Sequence, residues 1–255
     1  MWDAGNFAAV AEKILESGEL VVERAGIEPG MEVLDVACGT GNATLPAART
    51  GARVTGLDFA HGLLSIARER AADAMVEIDF VEGNAQELPF EDASFDRVLS
   101  TFGHMFAPDH RRTADEMMRV LRPGGSIAVA CWTPEGSIGH MFRVVGALVP
   151  PPPGAEPPLR WGTEQHVREL WGDAEFERHE IEWTDESVES YARFMLESFG
   201  PLLNARELLA EREDELDAAF RDFLESENVA DDGTLRFRGE YLLALTSKRP
   251  SAPRA

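Results

Sequence analysis

Asp35, Ala37, Gly39 and Gly41 fall at alternate positions in the run Val33-Leu34-Asp35-Val36-Ala37-Cys38-Gly39-Thr40-Gly41-Asn42. That spacing describes a cradle for a ligand. The apolar residues read as a strand with an acid inside it, and the glycines open a turn into a helix from about Asn42. Glycine lets the backbone turn sharply and approach a ligand with no Cβ in the way. The start of a helix points unpaired N–H groups and partial positive charge at whatever occupies the turn. Such a turn serves pyrophosphate in dinucleotide enzymes, and the run alone also reads as a strand–turn–helix with no ligand. Thr44 stands where the third glycine of G-x-G-x-x-G would be, which counts against a dinucleotide pocket.

A second carboxylate, Asp58, follows in Gly56-Leu57-Asp58-Phe59. At the tip of a strand it can accept both hydroxyls of a ribose. It also reads as the N-cap of a helix at Ala60, and both roles can hold together.

The elements that must position these groups alternate regularly. Two short helices are predicted over about Asn6–Ala25, split at Gly18, and Glu28-Pro29-Gly30 is a turn. Strand Val33–Val36, helix Asn42–Thr50, strand Arg53–Leu57, helix Ala60–Arg70 and strand Ile78–Val81 follow. Strand Arg97–Phe102, helix Asp109–Leu121 and strand Ser126–Cys131 complete the series. Short apolar strands alternating with helices predict a doubly wound, Rossmann-like α/β sheet, mostly parallel. From about Gly136 the texture changes. A helix, Ile138–Leu148, runs into a proline-rich linker at 149–154, and a short helix, Thr163–Trp171, precedes a charged edge strand, Phe176–Trp183. Helices Ser187–Phe199 and Ala205–Glu225 form a cap, broken by Gly200-Pro201, and the chain closes on an antiparallel strand, Leu235–Thr246, and a loose tail. The expected units are an N-terminal helical lid (1–30), the ligand-binding core (31–135), its remainder with the linker (136–186), the helical cap (187–230) and the last strand and tail (231–255).

Four segments, in order, resemble the class I S-adenosylmethionine (SAM) dependent methyltransferases, small-molecule enzymes of bacteria among them. Asp35 to Gly41 follows D/E-x-G-x-G-x-G with Ala37 for the first glycine, a position taken here to need only φ below zero. Gly83-Asn84-Ala85-Gln86-Glu87-Leu88-Pro89-Phe90 is similar to G-D-A-x-x-L-P-F, with Asn84 for the usual acid. Phe95-Asp96 and Arg119-Val120-Leu121-Arg122-Pro123-Gly124-Gly125 resemble the family's scaffold segments. The resemblance covers about Val33–Trp132. It implies SAM as cofactor and S-adenosylhomocysteine as product, with Asp35, Ala37, Cys38, Gly39, Gly41, Asp58, Phe59, Asn84, Ala85 and Thr101 around it. The reaction implied is in-line displacement at a sulfonium methyl, which requires positioning and exclusion of water more than acid–base work.

Where a base is needed, His104 lies just after the fourth strand and can titrate near neutral pH, although it also reads as a loop histidine that shapes the pocket. The acceptor pocket is expected from Trp2, Phe7, Trp132, His140, Tyr191 and Phe194, whose aromatic character predicts a small, largely apolar molecule. The acceptor atom, O, N or C, is open. Two other functions stay open beside methyl transfer: a non-catalytic SAM-binding protein and a nicotinamide-dependent oxidoreductase.

Forty-six acids against 24 bases give a formal charge of −22, which repels phosphate backbones and makes nucleic acid and anionic membranes poor partners. No apolar run approaches the ~20 residues of a membrane span, and Met1–Gly5 lacks the regions of a signal peptide, so a cytoplasmic monomer or homodimer is expected. Cys38 and Cys131 fall near the ends of strands that are not neighbours, and are expected as thiols. No group of His, Cys or acidic residues has metal-ligand spacing, and Asp109-His110 reads as a helix start.

Overall fold

A computed structural model describes residue 2, residues 5–150 and residues 152–250. The tail beyond Pro250, residues 1, 3 and 4 of the expected lid and Pro151 of the linker lie outside the described residues.

Seven strands form one sheet: β1 (Glu32–Val36), β2 (Arg53–Asp58), β3 (Asp79–Glu82), β4 (Phe95–Thr101), β5 (Leu121–Trp132), β6 (Glu175–Asp185) and β7 (Leu235–Ser247). Their order is β3-β2-β1-β4-β5-β7-β6. The first five run parallel, and β7 runs antiparallel between β5 and β6. The chain reverses outward from β1 to β3 and then returns to β4 beside β1, so β1 and β4 flank the switch point where α/β sheets bind ligands. The carboxyl end of β1 is Asp35-Val36, followed at once by the glycine loop. Edge strand β6 alternates exposed charges with the buried Ile181 and Trp183, as a one-sided strand should.

The helices are α1 (Phe7–Glu12), α2 (Leu15–Ala25), α3 (Thr44–Arg49), α4 (His61–Asp73), α5 (His110–Val120), α6 (Ser137–Leu148), α7 (Glu164–Trp171), α8 (Val188–Ser198), α9 (Gly200–Leu209) and α10 (Glu213–Glu227). Asp109, Thr163 and Ser187 each cap a helix start with a side-chain oxygen. Helix α10 packs on α6, α8 and α9, and α1 on α8. One apolar core runs without a break from Val33 and Leu34 in the sheet to Phe220 and Phe223 in α10.

Four local expectations are corrected. The N-terminal helices part at Lys13-Ile14, not at Gly18. Gly18 lies inside α2 because that helix crosses the glycine loop so closely that a Cβ there would stand 2.4 Å from the Asn42 carbonyl oxygen. The expected helix from Asn42 starts at Thr44, since residues 39–43 form the loop itself. The span 205–225 is not one helix: α9 ends at Leu209, and a 3₁₀ turn at Ala210–Arg212, with Ala210 at φ +48°, leads into α10. The Arg122-Pro123-Gly124-Gly125 segment belongs to the β5 span as an irregularity between the pairs Phe95–Leu121 and Arg97–Ser126.

Candidate functional site

A cleft of about 670 Å³, partly open to solvent, lies at the carboxyl ends of β1, β2 and β4. Its floor is the loop after β1. Gly39 and Gly41 take φ of +55° and +90°, values open to glycine at little cost. At Gly39 only the Phe7 ring comes within 4.0 Å of where a Cβ would sit, so this backbone faces open space. The loop is held from three sides. Asp58 Oδ2 accepts from the Gly39 N–H at 2.8 Å while its Oδ1 accepts from the Ala60 N–H at 2.8 Å. Arg70, from α4, donates to the Thr40 carbonyl at 2.7 Å and to Asn42 Oδ1 at 2.9 Å. The Asn42 amide in turn donates to the Ala11 carbonyl at 2.8 Å, which ties α1 over the loop.

Two buried oxygens at this cleft lack partners. Thr44 Oγ1 donates to Asp35 Oδ2 at 2.6 Å, but Asp35 Oδ1 has no hydrogen bond. Burial pushes the Asp35 carboxyl up to about 7; the Thr44 bond opposes the rise and the nearby Asp58 charge adds to it. Thr101 Oγ1, at the end of β4, is likewise unpartnered. A buried carboxylate oxygen without a donor is costly, and a bound donor or cation would relieve it. Cys38 is different: burial, then Asp35 and Asp58, push its thiol well above the ordinary value, so it stays protonated and packs against Gly56.

The segment after β4 is strained. Phe102 takes φ +63° and Ala37, which also lines the cleft, φ +55°. The expectation that Ala37 needs only negative φ is therefore wrong, and its left-handed backbone costs about 1 kcal/mol relative to glycine. Gly103 must lack a Cβ because one would lie 2.5 Å from the Ala37 carbonyl oxygen. Phe102 is fixed by stacking on Trp132 at 3.9 Å between centroids, 3° from parallel, with Tyr241 at its edge.

Phe102 also lines a second cavity, and Trp2, Phe7, Ile14 and Phe106 line both. The second cavity is a chamber of apolar and aromatic side chains, among them Trp132, Ile138, Met141, Trp183, Tyr191 and Phe237. Among the described residues that line it, none is acidic or basic.

Of the expected cofactor residues, Asp35, Ala37, Cys38, Asp58, Phe59 and Thr101 line the cleft, and Gly39 and Gly41 shape its floor. Asn84 and Ala85 are outside its lining: Asn84 is exposed, and its Oδ1 accepts from the Gln86 N–H at 2.9 Å, folding the loop upon itself. Trp2 and Phe7 stand at the junction, and Trp132 and Tyr191 in the chamber. His140 and Phe194 do not line it. His140 pairs with Glu227 at 2.7 Å, and Phe194 lies under the Lys13 ammonium at 5.4 Å. His104 is corrected too. Its side chain is fully buried, turned into the core with Nε2 3.4 Å from Cys131 Sγ and its ring edge-on to Trp161. Burial, then the His110 ring, pushes it down to about 3, so it is neutral and reaches neither cavity as a base. Sequence reading passed over Arg70, Thr40, Asn42, Ile14 and Phe106. Arg70 lies 28 residues from Asn42 on an unremarkable exposed-type helix, and only the polar Thr40 and Asn42 beside the glycines hinted at a clamp.

Residues 33–125 match a family model described as a methyltransferase domain. The chain is 46% identical over 175 residues to an uncharacterized protein of Mycobacterium tuberculosis; the match takes in 68% of this chain and 64% of that one, so the chain spans under two thirds of that relative. It is 44% identical over 111 residues to the demethylmenaquinone methyltransferase of Renibacterium salmoninarum, covering 44% of this chain and 45% of the relative. Among solved structures, the YcgJ protein of Bacillus subtilis superposes with a TM-score of 0.60 at 20% identity, over 92% of this chain and 99% of that one, a likeness of fold. Over residues 33–125 the chain is thus similar to methyltransferase domains, and its sheet order and glycine loop agree with that likeness.

Proposed function

We propose that this chain transfers a methyl group from SAM to a small apolar molecule held in the aromatic chamber. One observation carries this reading: the cleft and the chamber share Trp2, Phe7, Ile14, Phe102 and Phe106, so a group in one abuts a group in the other. The residues present fit the cofactor. Asp35 Oδ1 and Thr101 Oγ1 supply buried acceptors that lack donors, and the Gly39 backbone leaves room for close approach. SAM bound there would supply a methyl already activated on a sulfonium. Asp35 would meet its cationic end, and the Asp58 carboxylate, which lines the cleft at the end of β2, would lie beside the ribose.

The chamber residues would orient the acceptor and exclude water, which is most of what this displacement asks of a protein. With no base among the described lining residues, the reading favours an acceptor atom that is nucleophilic at neutral pH without help: an amine, a thiol, an acidic hydroxyl or an activated carbon. No helix among the described residues is long and apolar enough to cross a membrane, and two free, buried cysteines suit the reducing cytoplasm we propose as its setting, as monomer or homodimer.

Calorimetric titration with SAM, S-adenosylhomocysteine and NADH, followed by a screen of apolar acceptors read by product mass, tests this. Micromolar SAM binding and a product heavier by one methylene are expected. Tight NADH binding without SAM binding would overturn it in favour of an oxidoreductase; SAM binding with no product from any acceptor would favour a non-catalytic SAM sensor.

A further inference from the structure

His110, His166 and Glu156 come from three separate segments: the first residue of α5, the first turn of α7 and the loop that follows the prolines at 150–153. Their donor atoms converge within 4.8 Å of one another. His110 Nδ1 and His166 Nε2 face each other at 2.9 Å, and a carboxylate oxygen of Glu156 lies 3.8 Å from His110 Nδ1. Both imidazoles are buried, while Glu156 is partly open to solvent. The far ring nitrogens, His110 Nε2 and His166 Nδ1, have no hydrogen-bond partner.

We propose that these three side chains bind one divalent transition-metal ion, with zinc the best fit. Two imidazole nitrogens and a carboxylate are a borderline donor set, and three protein ligands leave a fourth position open. As it stands, one proton lies between the facing nitrogens, since one ring must donate and the other accept. An ion needs both facing lone pairs, so the donating ring takes its other neutral tautomer: the facing nitrogen gives its proton to solvent and the far nitrogen takes one up, with no net proton released. The facing nitrogens move apart by a few tenths of an ångström, to the separation that tetrahedral bonds of about 2.0–2.1 Å require, and each ring then carries its single proton on the far nitrogen. That of His166 lies 3.6 Å from Glu169, which is the carboxylate-behind-histidine arrangement that orients metal ligands.

The competing cation is Arg160. It pairs with the Glu156 oxygen that lies nearest His110, and it is also 3.6 Å from Glu169. Glu156 must turn from Arg160 to the ion, and Glu169 remains to hold the guanidinium. The site would fasten the proline-rich loop to α5, continuing a contact already made by the Glu156 N–H to the Pro108 carbonyl at 3.0 Å. Histidines 46 and 56 residues from their partners leave no spacing signature, so the sequence expectation of no metal spacing does not bear on this cluster.

The test is zinc titration of chelator-treated, tag-free protein against a chromophoric chelator, with cobalt as a spectroscopic probe. One equivalent should bind, and cobalt should give the intense visible bands of a four-coordinate site. H166Q and E156Q should each weaken binding by more than the roughly 100-fold that loss of an outer partner costs. R160M should tighten it by freeing the Glu156 carboxylate, which a merely structural role for the cluster does not produce. H61Q and H179Q, at exposed and edge-strand histidines, should bind as the parent does. Failure to bind one equivalent, or equal affinity in the parent and a folded H166Q, overturns the proposal. Should H166Q not fold, X-ray absorption of the zinc-loaded parent decides: imidazole scattering from two histidines supports the site, and its absence removes it. SAM binding is read separately, so neither result depends on the methyltransferase reading.

Discussion

Thr44 Oγ1 donates to Asp35 Oδ2 at 2.6 Å, and both side chains are buried. This bond gives the third position of the glycine motif a physical role: a hydroxyl, and not a third glycine, anchors the acid of β1. It satisfies one carboxylate oxygen and leaves the other bare, so the loop is built around an incomplete anion. A threonine here is what a SAM cradle can use and what a pyrophosphate cradle would not, since a carboxylate and a pyrophosphate repel.

Asp35→Asn should stabilise the ligand-free protein at pH 8. The folded-state carboxyl is raised to about 7 from an ordinary 3.8, so folding favours the protonated form. Its contribution is most favourable below the unfolded value and is lost as pH rises through the folded one, up to roughly 4 kcal/mol. The advantage of the variant over the parent should therefore shrink from pH 8 to pH 4.5 in urea denaturation. Its affinity for SAM should fall, because the amide carries no charge. A variant less stable than the parent at pH 8 would contradict the burial argument.

Asp58→Asn should weaken both the fold and SAM binding. The carboxylate accepts from Gly39 and Ala60 N–H groups, and an amide can keep one of these bonds but turns a donor toward the other. A loss of about 1–3 kcal/mol is expected in denaturation and a comparable loss in calorimetry with SAM. Intact affinity in a folded variant would move the cofactor away from Asp58.

These two acids were legible in the sequence because β-strand ends and glycine turns are local: Asp35, Gly39, Gly41 and Asp58 all lie beside the punctuation that defines them. The mostly parallel, doubly wound sheet followed from the same alternation, whereas the strand order did not. What remained hidden depends on distance in the chain. Arg70 reaches back along α4 to Thr40 and Asn42, and Gly18 owes its place to Asn42 rather than to a helix break. His104 was misplaced for another reason. A histidine in a turn after β4 has the right address for an acceptor base, but Ser100 Oγ, Cys131 and Trp161 draw the turn inward, and no local pattern records that. Left-handed Ala37 was equally invisible, because alanine seldom adopts that conformation.

His104→Ala should cost stability and leave the acid–base behaviour of catalysis alone. The vacated core volume should cost about 2–4 kcal/mol at pH 7.5. In the parent, the folded His104 is held near 3 against an ordinary 6.5, so its contribution is present above the unfolded value and is lost as pH falls toward 3. The penalty of the substitution should accordingly be smaller at pH 5 than at pH 7.5. Loss of a kcat limb near neutral pH would instead put His104 on the acceptor.

Met141→Trp should separate the two cavities by function. Met141 lines the chamber and not the cleft. Added bulk in a packed core costs typically 1–3 kcal/mol, and a cost in that range is expected here because Met141 is itself buried. The acceptor KM should rise while SAM affinity is unchanged. Equal losses in both would mean that the chamber is core and the acceptor binds elsewhere.

Gly18→Ala should act on SAM from outside the cleft. Alanine is the better helix former, by about 0.8–1.0 kcal/mol in an exposed helix interior, so propensity alone favours the variant. The packing opposes it. A methyl at this position would meet the Asn42 carbonyl oxygen at 2.4 Å and its carbon at 2.6 Å, both backbone atoms that no rotamer change can move. Helix α2 or the loop must retreat, and the loop cannot shift without straining the Arg70–Asn42 and Asn42–Ala11 bonds. Tm should drop despite the gain in propensity, and SAM affinity should drop with it, by about tenfold for a strain of roughly 1.4 kcal/mol in the cradle. Gly146, in α6, has nothing within 4 Å of its Cβ position and is the control: Gly146→Ala should raise Tm slightly and leave SAM binding unchanged.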